Sequence, residues 1–117
     1  MNPDTETLVK IQNLAEQRST AKRELKDARS EKLQETKAAV EALDQVIQES
    51  KGTKNGEAPK HLAAIQSAQE YRRTIISDTS ERVREATAKF KEIDELFEQT
   101  IAESNQGSLF TDEEVSS

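Results

Sequence analysis

A strict seven-residue frame constrains this chain more than any other feature. Leu62, Gln69, Ile76, Val83, Phe90 and Phe97 hold one position of the repeat, and Ile65, Arg72, Thr79, Ala86 and Ile93 hold another. Alternate steps of three and four put both series on one stripe of an α-helix, which must be covered by a second helix to leave water. The first half of the chain supplies a matching stripe at Ile11, Leu14, Ala21, Leu25 and Ala28, interrupted by Arg18. From Leu25 to Thr36 the spacing reads as eleven residues in three turns, which would locally unwind a supercoil. Ala39, Leu43 and Val46 then resume the seven-residue pattern, with Val40 and Ile47 widening the stripe.

Between the stripes lies KGTKNGEAPK, residues 51–60, where two glycines, Asn55 and Pro59 break a helix. Pro59 suits the first turn of the helix that follows. At the start of the chain, Asn2 and Pro3 form a plausible cap and first helical residue, and Asp4 and Glu6 favour the positive end of the helix dipole. Two arms of about 45 residues joined by a short turn favour antiparallel pairing. These signals predict an all-α fold: a long two-helix antiparallel coiled-coil hairpin with helices over about 3–50 and 59–104 and a turn at 51–60. The hairpin forms one domain over 1–104, and residues 105–117 follow as a flexible, acidic C-terminal tail.

Composition agrees with a thin core. Only 32% of the 117 residues are apolar and 3% aromatic, too few to fill a thick globular interior, while 34% are charged. The two signs are interspersed, and the regular apolar spacing argues for helices over disorder. There is no cysteine, which excludes a disulfide scaffold and a thiolate metal site. No stretch approaches the length of an apolar membrane span, and MNPDTETLVK lacks a secretory pattern, so a soluble, cytoplasmic protein with no membrane partner is expected. The net charge of −6 is unevenly placed, with no basic residue after Lys91. Pairing the arms would gather Lys51, Lys54 and Lys60 at the turn, and Asp4, Glu6, Glu92, Asp94, Glu95, Glu98 and Glu103 at the other end.

Catalysis needs a held constellation of groups in a water-excluding pocket, and two helices offer no obvious one, so no enzyme, catalytic residue, cofactor or metal is expected. His61 is the single histidine, at the start of the second helix. Asp94 and Glu98 are four apart, but with no histidine beside them they read as a solvated face. The basic pairs Arg72-Arg73, Arg82/Arg84 and Lys89/Lys91 are interleaved with acids in the manner of ion-paired helix surface. Nucleic acid is therefore a minor expectation, carried if at all by Lys51, Lys54 and Lys60. Ile75, Leu96 and Ile101 lie beside the stripe and form a candidate second interface, for a homodimer or another partner.

Near the end of the chain stands Gln106-Gly107-Ser108-Leu109-Phe110, followed by a short acidic stretch. Gly107 suits a helix C-cap, with Leu109 and Phe110 folding back on the last turn. The same five residues resemble the short peptide by which bacterial replication and repair proteins bind the sliding clamp of DNA polymerase. Four of the five positions fit that pattern, Gly107 standing where leucine is commoner. The resemblance implies that Gln106 hydrogen-bonds in the clamp's cleft, that Leu109 and Phe110 fill its apolar pocket, and that Ser108 holds the permissive middle position. It implies an interaction protein that recruits to, or inhibits, a replication clamp. The alternative is a structural or inhibitory coiled-coil module, of phage type, that binds a host nucleic-acid enzyme through the hairpin. The hairpin architecture also resembles factors that enter the secondary channel of RNA polymerase and the small secreted WXG hairpins. It lacks the acidic tip of the first and the tryptophan motif of the second.

Overall fold

The computed structural model describes the backbone of residues 3–116 and the side chains of residues 4–54 and 56–104. Helix α1 spans Pro3–Glu49, a single 3-10 turn spans Asn55–Glu57, and helix α2 spans Ala58–Ser116. The two helices pack against each other as an all-α hairpin, with no strand among the described residues. Pro3 and the carboxylates Asp4 and Glu6 stand in the first turn of α1, and Pro59 in the first turn of α2. Both placements follow from a ring that fixes φ and lacks only a donor the first turn would leave unpaired. The backbone of α2 continues past the expected end near residue 104. One glycine costs a helix only about 1 kcal/mol relative to alanine, and no proline follows it.

The chain leaves α1 through short-range bonds. Ser50 N–H donates to the carbonyls of Val46 (3.2 Å) and Ile47 (3.1 Å), and Lys51 N–H donates to Gln48 at 3.1 Å. The Ser50 hydroxyl donates to the Ile47 carbonyl at 2.6 Å, and the Thr53 hydroxyl donates to the Ser50 carbonyl. Gly52 then takes φ +73°, a left-handed conformation that other residues adopt only at a cost. Glu57 N–H donates to the Lys54 carbonyl at 2.9 Å and closes the 3-10 turn into α2.

The structure divides into two compact units, each made of a piece of both helices. The turn unit is Lys26–Glu85, and the terminal unit is Met1–Leu25 with Ala86–Ser117. In the turn unit the most buried residues are Ala39 and Thr79, each 1% exposed; in the terminal unit they are Ala21, Leu25 and Thr100. Small residues dominate this list, because a helix pair with alanine or threonine facing inward can close up until the backbones nearly touch. Threonine is tolerated there because its hydroxyl bonds back into its own helix. Thr79 Oγ1 donates to the Ile75 carbonyl at 2.6 Å and Thr100 Oγ1 to the Leu96 carbonyl at 2.7 Å. Thr100 occupies the frame position seven residues after Ile93, which extends the expected stripe by one step.

The eleven-residue step in α1 is real. From Leu25 to Thr36 half-buried residues follow at Ala28, Lys32 and Thr36, in steps of three, four and four, with Glu35 half-buried beside Thr36, while Leu33 stands 73% exposed. The frame in α2 holds from Ile65 to Phe97, every member of it being half-buried or buried. It fails at Leu62, expected in the core but 59% exposed. The cause is local: α1 ends at Glu49, so the first turn of α2 faces the polar connecting segment and has no helix opposite it.

Candidate functional site

Arg18, which interrupts the stripe of α1, organises the terminal unit. Its Nε lies 2.8 Å from Asp94 Oδ1, and its guanidinium carbon sits 4.9 Å from the centre of the Phe97 ring. The Asp94 contact is electrostatic and lacks the alignment of a hydrogen bond. The cation thus enters the stripe with a carboxylate on one side and an aromatic face on the other, the two partners a positive group accepts away from bulk water. Asp94, expected on a solvated acidic face, is instead half-buried against Arg18. That removes it from any cation-binding pair with Glu98. A stripe arginine on one arm and a phenylalanine in the frame of the other were the sequence signals for this contact.

Other surface charges pair across the helices. In the terminal unit Lys89 Nζ lies 3.0 Å from Glu24 Oε2. In the turn unit Arg82 Nη1 lies 3.4 Å from Glu31 Oε2 and 3.9 Å from Glu35 Oε2. These pairs are exposed and contribute little stability each. Arg82 and Lys89, one cation from each of two basic pairs, thus face carboxylates of α1. Lys51, Lys54 and Lys60 differ: all three are exposed, and none joins an ion pair with a described residue. His61 is half-buried at the start of α2.

One open groove of about 400 Å³ runs along the terminal unit. Asn13, Glu16, Gln17 and Thr20 of α1 form its polar wall, with Ala21 and Ile93 beneath and Lys89 at its edge. The lining contains one carboxylate, and its lysine is engaged by Glu24, so no acid and base face each other across it. Among the described residues no group of three or more histidines, cysteines or carboxylates is placed to hold a metal ion. No described helix is long and apolar enough to cross a membrane.

The candidate second interface divides between the units. Ile75, in the turn unit, is half-buried; in the terminal unit Ile101 is half-buried and Leu96 is 47% exposed. The hairpin itself therefore consumes much of Ile75 and Ile101, leaving Leu96 as the exposed apolar member. Gln106, Ser108, Leu109 and Phe110 lie outside the residues whose side chains are described. No family model, no curated protein and no solved structure matches the chain.

Proposed function

We propose that this chain is a non-enzymatic, cytoplasmic interaction protein that presents its C-terminal peptide to a bacterial replication sliding clamp, either recruiting what the hairpin carries or blocking competing clamp ligands. The observation that carries the reading is Gln106-Gly107-Ser108-Leu109-Phe110, placed beyond the last buried stripe residue, Thr100, and ahead of three acidic residues in the tail. An apolar Leu-Phe pair outside the stripe is a liability unless something binds it.

The test is calorimetric titration of the full chain into a purified bacterial sliding clamp, beside a Leu109→Ala, Phe110→Ala double variant. The wild type binds, and the variant loses more than about 2 kcal/mol, the cost of deleting two anchors. Absence of wild-type binding refutes the clamp reading. A second reading, an inhibitory coiled-coil module acting on a host nucleic-acid enzyme, is favoured by Leu96, exposed among Glu92, Glu95 and Glu103. Removing the last dozen residues separates the two, because clamp binding is then lost and an activity of the hairpin survives.

A further inference from the structure

Ion pairs mark one side of the helix contact in the turn unit, where Arg82 of α2 meets Glu31 and Glu35 of α1. Leu33 stands two residues from Glu31 on α1, and Arg84 stands two residues from Arg82 on α2. Two residues are about 200° around a helix, so both belong to the other side. There Leu33 opens a row on α1 at seven-residue steps with Val40 and Ile47, and on α2 steps of seven and four run through Leu62, Gln69, Arg73, Ser80 and Arg84. Leu33, Ile47 and Leu62 are exposed, while Val40, Gln69 and Ser80 are half-buried along the seam.

The signs of charge alternate along the sequence but separate around this unit. The side of the leucine row carries Lys26, Arg29 and Lys37 of α1 and Arg73 and Arg84 of α2, against one acid, Asp44. Each lies four or seven residues from a member of its row, all are exposed, and none forms an ion pair with a described residue. The side of the ion pairs carries Asp27, Glu31, Glu35 and Glu49 of α1 and Asp78 and Glu85 of α2, against Lys60 and Arg82. Glu41, Glu70 and Glu81 lie on the outer surface, away from the helix contact.

We propose that this side of the turn unit docks an acidic amphipathic helix of a partner protein, laid along the seam between the row of Leu33, Val40 and Ile47 and the row of Leu62. The seven-residue spacing of the first row is what a further helix with apolar residues at heptad steps fits. The excess of cations selects acidic flanks on that helix, and a third helix covers the apolar side chains that two leave bare. A second copy docking through the same side sets cation against cation. A nucleic-acid backbone uses the cations but leaves Leu33, Ile47 and Leu62 against phosphates. This surface is separate from the Gln106–Phe110 peptide and does not depend on what that peptide binds.

The experiment is fluorescence anisotropy of a labelled synthetic peptide titrated with the full chain from about 1 µM to about 1 mM. The peptide has about 21 residues, in heptads with leucine at the two core positions and glutamate on the flanks; a second peptide carries lysine in place of glutamate. The variants are a face-reversed chain with Arg29→Glu, Lys37→Glu, Arg73→Glu and Arg84→Glu, a Leu33→Ser chain, and Lys60→Glu as a control on the other side. All the exchanged residues are exposed, and circular dichroism establishes that each variant keeps its helix content. The wild type binds the acidic peptide, more weakly as salt rises, and does not bind the lysine peptide. The face-reversed chain binds the acidic peptide about tenfold more weakly or worse and takes the lysine peptide instead. Leu33→Ser also weakens binding about tenfold, and Lys60→Glu changes it less than about twofold. The Leu109→Ala, Phe110→Ala double variant binds the acidic peptide as the wild type does, so this result and the clamp result fail separately. No binding of the acidic peptide over the whole range overturns the proposal, and so does binding that the face reversal leaves unchanged. A duplex oligonucleotide that displaces the peptide and binds Leu33→Ser as tightly as the wild type assigns the face to a phosphate backbone and overturns it as well.

Discussion

Arg18 carries the most information of any single residue described. Its guanidinium replaces an apolar stripe residue and is accepted because Asp94 and Phe97 receive it. Arg18→Ala removes the ion pair and the ring contact together and lowers stability by about 1 kcal/mol, read as a shift in the urea midpoint. Arg18→Leu is neutral or stabilising by the same measurement, since an apolar replacement of a partly buried ion pair often gains what the charges lose to desolvation. If both variants lose equally, the role assigned to the charge is wrong. Arg18 was legible in the sequence only as an interruption. The contact with Asp94 depends on which residues of α2 come opposite, and spacing within one helix does not contain that. Thr79 was likewise undervalued as a weak stripe residue. Its hydroxyl is satisfied by the Ile75 carbonyl, so the side chain packs as a small apolar group would.

At the scale of the element, the connecting segment separates its glycines by role. Gly52 stands at φ +73° with open space around its missing Cβ, and Gly56 has open space and no such backbone demand. Gly52→Ala therefore destabilises by about 1 kcal/mol, through backbone strain and not through a clash. Gly56→Ala is neutral or mildly stabilising, because it restricts the unfolded chain at no cost to the folded one. Thermal unfolding of the two variants side by side checks this, and equal losses would contradict it. The sequence marked both glycines as breakers without ranking them, since the sign of φ is decided by how the chain leaves α1. The helices themselves were the most legible part. Steps of three and four named the buried face of α2 from Ile65 to Phe97, and the eleven-residue step in α1 matched the exposure of Leu33. Leu62 escaped the pattern because periodicity describes a face and not whether another helix reaches it.

For the whole molecule, charge placement is the feature with functional weight. Lys89 and Arg82 are engaged by Glu24, Glu31 and Glu35, whereas Lys51, Lys54 and Lys60 are left to solvent. Exposed glutamates occur in both units, Glu49 and Glu57 near the turn and Glu92, Glu95, Glu98 and Glu103 in the terminal unit. Other exposed cations of both helices, among them Lys22, Lys37, Arg73 and Lys91, stand interleaved along the chain with acidic side chains, the sequence pattern of a mixed-charge helix surface. The peptide Gln106–Phe110 is read from five consecutive letters, which need no fold. The sequence set Leu96 beside the stripe, where it is exposed, but it did not show that Leu62, which fits the frame, is bare.

The small residues at the helix contact also set how this protein can change. Ala21, Ala39 and Thr79 sit at 1% exposure, while most of their neighbours face water. In a library of all single substitutions selected for folding, replacements larger than the native side chain at those three positions are depleted, since overpacking costs about 1–3 kcal/mol. Exposed positions on both helices accept nearly any residue except proline and glycine. A chain with so few positions committed to its own folding tolerates change across most of its length. The same library selected for a partner instead of for folding will then show a second set of intolerant positions, and those positions trace the partner's footprint.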